Sequence, residues 1–453
     1  MKSVAIIGAG ITGLTAAFYL KRKGVPVTVY EAGGRVGGVI QSIRKDGFLA
    51  EFGPNTILET SPKIAQLVRD AGLEARKLAT NPKAEARYVV RYGRPIEMPG
   101  SPLGFFTTPL FTAKAKLAVL REPFIKPRRD GVEESIAQFV VRRFNQEFLD
   151  HAIDALVAGI YAGDPHKLSL PHAFPKLKAL EDNYGSMIKG QIFGARDRKK
   201  SGEVAIDRAA KFSFDEGLQV LPDALAESLG NSLKLNLPVT KLTQINDAWH
   251  VTTASSEAEF DAVIYCGPAH KLPELKIEAQ SPANFSAFSE IYYPPVASVV
   301  LGFRREDVEH PCSGFGMLIP KIEGFKILGT IFSSALFPNR APAGHLNLTS
   351  YVGGARYPKL ASLPPDELVK LVCDDLRSLL GVKGDPVFQN VALYPKAIPQ
   401  YNLGYGKFKD LMNEIETKAR GLFFAGHYRD GVSLGDSIVS GCNIVERVEK
   451  SLK

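Results

Sequence analysis

A glycine-rich turn between two apolar segments near the amino terminus constrains the fold of this chain more than any other feature. Residues 3–30 read SVAIIGAGITGLTAAFYLKRKGVPVTVY, which predicts a buried strand, a turn, a helix and a second buried strand. The turn holds Gly8, Gly10 and Gly13 in the spacing G-x-G-x-x-G. The segment therefore predicts a βαβ unit with its glycines directly between strand and helix.

The same glycines suit a phosphate-bearing ligand. Without side chains they permit a tight turn, close approach of the backbone to a pyrophosphate and close packing of helix on strand, while the helix amino terminus favours negative charge. Glu31 ends the second strand 18 residues after Gly13, close to the ~20 typical of a carboxylate that holds ribose hydroxyls. Glycines at strand ends also form plain structural turns, but the added carboxylate predicts dinucleotide binding.

Three segments indicate which dinucleotide is bound. EAGGRVGG begins at Glu31 and places Arg35, which can face a pyrophosphate, before a pair of glycines. EFGPN covers 51–55, and GLFFAGHYRDGVSLGDSIVSGCNIVERV covers 421–448, where a strand and a glycine turn precede a helix near Ser433. The positive end of that helix can stabilise charge on a reduced flavin. Together they resemble the flavoprotein superfamily of amine oxidases, phytoene desaturases and protoporphyrinogen oxidases, which implies FAD rather than NAD.

Four further segments narrow the resemblance to one family. VAGIYAGDPHKLSL, FGMLIP, ILGTIFSSALFPNRAP and SYVGGAR are similar to oxygen-dependent protoporphyrinogen oxidases, especially those of plant organelles, and the similarity covers nearly the whole chain. It implies an α/β (mixed α+β) protein. The expected parts are a discontinuous, Rossmann-like FAD-binding domain of the p-hydroxybenzoate hydroxylase kind, a mixed antiparallel-sheet substrate domain and a helical membrane-binding domain.

The predicted domain boundaries follow the pattern of strands and helices. The FAD-binding domain comprises 1–80, 205–270 and 405–453. The substrate-binding domain comprises 81–90, 190–204 and 271–404, where strand-like segments alternate. The helical domain comprises 91–189.

The resemblance also implies site residues. FAD contacts are expected at Gly8, Ala9, Gly10, Ile11, Thr12, Gly13, Glu31, Ala32, Arg35, Val39, Gly53, Pro54, Asn55, Thr56, Val239, His427, Val432, Ser433 and Leu434. Substrate contacts are expected at Arg87, Gly159, Leu318, Ile331 and Tyr351. The family often has Leu at position 331, Phe at 351 and Asn at 427. No side chain is predicted to be catalytic, because the flavin carries the chemistry.

The expected substrate chemistry agrees with those residue types. A porphyrinogen is a large apolar macrocycle with carboxylates on its edge, so its site should be apolar with one well-placed cation. Leu318, Ile331 and Tyr351 supply apolar surface, and Arg87 can hold a carboxylate bidentately. Without the resemblance, the two aliphatic residues would be ordinary core and the arginine a solvated surface residue.

The resemblance implies oxidation of protoporphyrinogen IX to protoporphyrin IX, with dioxygen reduced to hydrogen peroxide. Oxidation of coproporphyrinogen III is the nearest alternative, and amine oxidation or carotenoid desaturation a more distant one. A non-catalytic flavin-binding scaffold would share the glycine motifs but has no need for the substrate-domain segments.

Charge and composition limit the other partners. The net charge of +8 favours an anionic partner. Residues 111–129 carry six cations and one glutamate beside several phenylalanines, which predicts a peripheral contact with anionic lipid. No apolar segment approaches the ~20 residues that span a bilayer. The four cysteines lie far apart, which predicts a reducing compartment and no metal site. We therefore expect a cytoplasmic protein on the inner face of the cell membrane that binds no nucleic acid, and a homodimer is left open.

Overall fold

A five-stranded parallel sheet forms the centre of the part predicted to bind the dinucleotide. The computed structural model describes residues 2–194, 209–281 and 283–452. Residues 195–208, which belong to the predicted segments 190–204 and 205–270, lie outside the described residues. The strands run in the order β10 (Leu233–Lys234), β2 (Val27–Tyr30), β1 (Val4–Ile7), β14 (Ala262–Tyr265) and β21 (Leu422–Phe424). Strands covered on both faces are apolar throughout, which is why these segments read as continuous apolar runs. The predicted βαβ unit and the predicted final strand are confirmed.

Two helices pack side by side on this sheet. They are α1 (Ile11–Arg22) and α15 (Leu434–Leu452), the second confirming the predicted terminal helix. The Thr12 hydroxyl donates a hydrogen bond of 2.9 Å to the carbonyl of Ser437. A side-chain carbon at Gly441 would lie 2.7 Å from the carbonyl oxygen of Thr12, so only glycine permits this approach. The first turns of both helices are therefore neighbours. Two more helices in this part are α2 (Pro62–Asp70) and α11 (Val220–Leu229).

Smaller sheets flank the parallel one. They are formed by β3 (Ser42–Lys45) with β4 (Phe48–Glu51), by β5 (Ile57–Leu58), β9 (Lys211–Phe214) and β6 (Lys77–Ala79), and by β13 (Glu257–Phe260), β12 (Ala248–Thr253), β11 (Val239–Ile245) and β15 (Lys276–Glu278). The last strand pairs in parallel with β11. The predicted boundary at residue 271 therefore cuts through a sheet.

A seven-stranded mixed sheet forms the second layer. Its order is β20 (Phe388–Tyr394), β16 (Val296–Arg304), β19 (His345–Gly353), β18 (Ile327–Ile331), β17 (Gly316–Leu318), β7 (Arg87–Arg91) and β8 (Arg94–Glu97). All neighbours are antiparallel except β7 and β17. The strand-like segments predicted within 271–404 are confirmed by β16, β17, β18 and β19. The helices packed against it include α12 (Ser333–Leu336) and α13 (Pro365–Leu380), whereas α14 (Gly406–Lys418) packs against β21 of the parallel sheet.

The helical part begins later than predicted. The range 91–189 includes β8, which belongs to the seven-stranded sheet, because Tyr92 (φ 57°) and Gly93 (φ 70°) form a tight two-residue turn that returns the chain antiparallel to β7. Positive φ at both central residues matches the twist of a hairpin. The boundary at residue 91 is therefore wrong, and the first helix starts at Pro102.

Between residues 102 and 194, the structure describes eight helices and a π-helical turn that form the helical part. These are α3 (Pro102–Thr107), α4 (Ala113–Arg121), α5 (Ile136–Arg143), α6 (Gln146–Phe148), the π turn (Leu149–Ile153), α7 (Asp154–Tyr161), α8 (Leu170–Ala173), α9 (Pro175–Tyr184) and α10 (Met187–Phe193). The buried guanidinium of Arg143 joins them by ion pairs to Glu122 (3.2 Å) and Glu181 (2.7 Å). Within the described ranges, no helix is long and apolar enough to cross a membrane.

Candidate active site

The glycine turn has one crowded side and one open side. The φ of Gly8 is 104°, and a side-chain carbon at Gly13 would lie 2.0 Å from the carbonyl oxygen of Gly8. Both positions therefore require glycine for the strand-to-helix turn. A side-chain carbon at Gly10 would have no described atom within 4 Å. The open side lies at the first residue before α1, beside Ile11 and Thr12, where backbone N–H groups of a helix can hold a pyrophosphate.

Glu31 stands beside this turn at the end of β2. Its carboxylate accepts hydrogen bonds of 2.8 Å from the amide of Ala9 and of 2.8 Å from the amide of Gly33. A carboxylate has about four acceptor positions, so two remain for ribose hydroxyls. The amide of Leu237 donates to the Glu31 carbonyl at 2.9 Å, which brings Val239 near this end of the site. Ala32 is exposed here.

Arg35 is held by its own loop. The guanidinium donates to the carbonyls of Val36 (3.1 Å), Ile40 (2.8 Å) and Gly38. It therefore fixes the loop that passes the glycine turn, where the amide of Gly37 bonds the carbonyl of Ala9 at 2.8 Å. A direct contact between Arg35 and a pyrophosphate stays a prediction. Next to this loop, the Val39 side chain is 51% exposed.

The carboxyl-terminal segment brings a second helix amino terminus to the same place. Ser433 precedes α15, and its hydroxyl accepts a hydrogen bond of 3.0 Å from the amide of Asp436. The carboxylate of Asp436 accepts one of 3.2 Å from the Ser433 amide. This reciprocal cap fixes the start of α15. Because the first turns of α1 and α15 are adjacent, two partial positive charges act on one region, which Val432 and Leu434 border.

His427 carries a buried polar atom that needs a partner. Its Nε2 atom is buried and has no hydrogen-bond partner among the described residues. Burial, reinforced by His270, lowers the pKa of His427 to about 4, so its imidazole is neutral near pH 7. An unpaired buried nitrogen is costly unless a ligand satisfies it. The orphaned nitrogen and the open side of Gly10 both fit a flavin dinucleotide.

Residues 53–56 link the nucleotide part to the mixed sheet. The side-chain amide of Asn55 donates a hydrogen bond of 2.6 Å to the hydroxyl of Tyr351. That hydroxyl donates in turn to the carbonyl of Gly53 at 3.2 Å. A side-chain carbon at Gly53 would lie 2.2 Å from the carbonyl oxygen of Val39, so glycine is needed for the loops to touch. Pro54 and Thr56 lie in the same loop, and the predicted FAD segment and a predicted substrate residue are in direct contact.

The mixed sheet brings the predicted substrate residues onto one face. Leu318 is opposite Gly329, which is opposite Tyr351. Arg87 is opposite Gly316, which is opposite Ile331. Each of these two sets of paired residues forms a row across the sheet. The rows are two residues apart along the strands, so their side chains project from the same face. This surface is called the substrate face below.

Helix α7 covers part of the substrate face. A side-chain carbon at Gly159 would lie 2.6 Å from Cδ2 of Leu318, so the absence of a side chain lets α7 approach the sheet. At the start of α7, Asp154 forms an ion pair of 2.8 Å with the buried Arg356, which follows β19. The helix is therefore fixed to the sheet that it covers.

Arg87 lies near the edge of the substrate face. It is exposed, and no hydrogen bond joins its guanidinium to another described residue. The adjacent Leu318, Ile331 and Tyr351 are partly buried. An available planar cation beside an apolar surface suits a large ligand with a carboxylate on its rim.

Sequence reasoning missed Tyr401. Its buried hydroxyl donates to the carbonyl of His427 and accepts a hydrogen bond of 3.1 Å from the amide of Gly431. The residue lies 26 positions before His427, in a segment with no glycine motif and no strand or helix periodicity. Local sequence therefore held no signal for this contact.

The fold and these contacts define an FAD-dependent oxidoreductase, with a nucleotide-binding part and a substrate-binding sheet that meet at residues 53–56. The chain belongs to the flavin containing amine oxidoreductase family, whose sequence pattern matches residues 11–449. FAD is its cofactor.

Relatives of known function align with almost the full length of this chain. Protoporphyrinogen oxidase 2, chloroplastic/mitochondrial, of Arabidopsis thaliana is 37% identical, and the alignment covers 99% of this chain and 94% of that protein. Coproporphyrinogen III oxidase of Bacillus subtilis is 30% identical over 97% of this chain and 96% of that protein. The similarity to protoporphyrinogen oxidases predicted from the motifs is confirmed.

Solved structures share the fold. The crystal structure of a protein from Exiguobacterium sp. 255-15 has a TM-score of 0.80 at 22% identity and covers 99% of each chain. Reduced UDP-galactopyranose mutase has a TM-score of 0.75 at 15% identity, covering 99% of this chain and 96% of that one. At these identities the comparison concerns the fold alone.

Proposed function

We propose that this protein oxidises protoporphyrinogen IX to protoporphyrin IX. Six electrons and six protons leave the macrocycle in three two-electron steps, and three dioxygen molecules become three molecules of hydrogen peroxide. The observation that carries the proposal is the contact between Asn55 and Tyr351, which joins the predicted flavin loop to the substrate face. Relatives named protoporphyrinogen oxidase, at 36–37% identity over nearly the full chain, support it.

The substrate face suits the macrocycle. Leu318, Ile331 and the ring of Tyr351 present apolar surface to the pyrrole rings, and Arg87 supplies one cation for a propionate. Burial of apolar area contributes about 25 cal/mol per Å², and the charge-assisted pair fixes the orientation. FAD, when bound, supplies the two-electron oxidation and the transfer of electrons to dioxygen.

The protein's own residues bind and orient. His427 stays neutral near pH 7 because burial lowers its pKa. Its imidazole therefore neither gains nor loses a proton in that range. The paired first turns of α1 and α15 favour negative charge beside them. Helix α7 covers part of the substrate face at Leu318 and excludes water from that part.

Coproporphyrinogen III is the second candidate substrate, because relatives named coproporphyrinogen III oxidase are 30–31% identical over nearly the full chain. That macrocycle carries four propionates where protoporphyrinogen IX carries two. Among the described residues of the substrate face, a single arginine is available, which favours the substrate with fewer carboxylates. Steady-state rates on both substrates, with hydrogen peroxide measured, distinguish the two candidates. A higher specificity constant for protoporphyrinogen IX supports the proposal, whereas a higher one for coproporphyrinogen III would identify that macrocycle as the substrate.

We further propose that the helical part docks on an anionic membrane surface at the inner face of the cell membrane. The exposed apolar side chains of α3, α4 and the following turn include Leu103, Leu117 and Phe124, the last of them 86% exposed. Lys114 and Arg121 are exposed among them, and each cation near anionic lipid contributes on the order of 1 kcal/mol.

Co-sedimentation with anionic liposomes tests the docking. Phe124→Ser should weaken binding, whereas Ile322→Ser, at a position 61% exposed in the mixed-sheet part, should not. Equal binding by both variants would contradict the proposed surface. A homodimer also remains a proposal, which sedimentation equilibrium tests.

A further inference from the structure

The loop between β21 and α15 lies directly before the helix amino terminus where flavin contacts are predicted. It runs from His427 to Gly431 and is called the carboxyl-terminal loop. It follows a parallel strand at its carboxyl end, the edge where ligands bind in such sheets. The flanking Gly426 has a φ of 120° and Gly431 one of 129°, so the backbone turns sharply at both ends.

One side chain holds both ends of this loop. The Tyr401 hydroxyl donates to the carbonyl of His427 and accepts from the amide of Gly431 at 3.1 Å. Tyr401 is 1% exposed, so water does not compete for these bonds. A single phenolic oxygen thus fixes the distance between the first and last residues of the loop.

The other side of Tyr401 meets the helix that covers the substrate face. Its ring centroid lies 6.2 Å from that of Tyr161, and the neighbouring Gln400 donates a hydrogen bond of 2.8 Å to the carbonyl of Tyr161. Tyr161 is the last residue of α7. Tyr401 therefore lies between α7 and the carboxyl-terminal loop and is held from both directions.

We propose that Tyr401 is a positioning residue that holds the carboxyl-terminal loop in its flavin-binding conformation before FAD arrives. It acts through His427 and Gly431. A loop ordered in advance does not lose its conformational freedom when the ligand binds, which raises affinity. The inference concerns FAD binding and does not depend on which substrate is oxidised.

Titration of the apoprotein with FAD, followed by quenching of flavin fluorescence, tests the role. Tyr401→Phe removes both hydrogen bonds and keeps the ring, and it should raise the dissociation constant of FAD about 5- to 30-fold. The matched control is Tyr161→Phe, which removes a buried hydroxyl bonded to the carbonyl of Ala173 at 2.8 Å. It should bind FAD as the wild type does.

Two results of that titration overturn the proposal: an unchanged dissociation constant in Tyr401→Phe, or an equal increase in both variants, which would indicate general loosening of the tyrosine cluster. Failure of the wild-type protein to oxidise a porphyrinogen would contradict the proposed function alone, because the FAD titration that tests Tyr401 uses no substrate.

Hydrogen exchange of the wild-type protein provides a test that needs no variant. The amide of Gly431, bonded to Tyr401, should be protected in the apoprotein and in the FAD-loaded protein alike. Protection that develops only when FAD is added would show that the cofactor, and not Tyr401, orders the loop.

Discussion

Asn55 and Tyr351 are 296 residues apart in the sequence and form a hydrogen bond of 2.6 Å. Asn55 lies in the loop predicted to contact the flavin, and Tyr351 lies on the substrate face. The same tyrosine hydroxyl donates to the carbonyl of Gly53. The Tyr351 hydroxyl therefore sets the position of the loop 53–56 relative to the substrate face.

Tyr351→Phe should lower the free energy of unfolding by about 1–3 kcal/mol, because the Asn55 amide, which is buried, loses its best acceptor. A double-mutant cycle with Asn55→Ala should give a coupling energy of about 0.5–3 kcal/mol. Denaturant unfolding of the four proteins measures it. Strictly additive effects would mean that this hydrogen bond contributes nothing.

Arg87→Ala should lower the specificity constant for protoporphyrinogen IX roughly 10- to 150-fold, the loss of about 1.5–3 kcal/mol for a charge-assisted hydrogen bond to a propionate. Arg87→Lys should recover part of the loss, because an ammonium cannot form two parallel bonds. FAD content should stay constant. The control Arg94→Ala changes another exposed arginine, the first residue of the neighbouring strand β8, and should have no effect. An Arg87→Ala protein as efficient as the wild type would remove this residue from the substrate site.

Gly159→Ala should raise KM several-fold without loss of stability. The added carbon would displace Cδ2 of Leu318, now 2.6 Å away, into the space of the substrate face, while alanine favours the helix by about 1 kcal/mol. Gly190→Ala is the matched control, because its added carbon would meet Cδ2 of Leu180 at 2.7 Å inside the helical part. If both variants raise KM equally, crowding at the substrate face is not the cause.

The nucleotide-binding half of the site could be predicted from the sequence because its signals are local. Gly8 and Gly13 are required by the turn itself, Gly10 lies on its open side, and Glu31 follows at a distance set by one helix and one strand. The role of Arg35 was harder to foresee, because a guanidinium bonds whichever acceptors its loop presents, and here these are carbonyls of the loop itself.

Contacts between distant segments, and the domain boundaries, lay beyond local patterns. The register that aligns Arg87 with Ile331 is set by three strands from two distant parts of the chain. The boundary at residue 91 failed because a two-residue turn at Tyr92 and Gly93 carries the sheet one strand further. The boundary at 271 failed because Lys276–Glu278 adds a short strand to a sheet formed earlier in the chain.

Acid should destabilise the protein partly through His427. Its pKa is lowered to about 4 in the folded state, while an unfolded histidine has a pKa near 6.5. The unfolded chain therefore binds the proton more readily, and the stabilisation present above pH ~6.5 is lost as the pH falls toward 4. Between pH 7 and 5 this group should contribute about 2 kcal/mol to the loss. In His427→Asn the thermal midpoint should fall less over that range, and an identical fall would contradict the assignment.

Anaerobic mixing of the FAD-loaded protein with protoporphyrinogen IX tests the central claim most directly. Without dioxygen, the visible absorbance of the oxidised flavin should bleach in a single turnover, and admission of air should restore it with formation of hydrogen peroxide. Tyr351 and Arg87 would then border the surface where this reduction occurs. A flavin that stays oxidised in the presence of excess protoporphyrinogen IX would contradict the account.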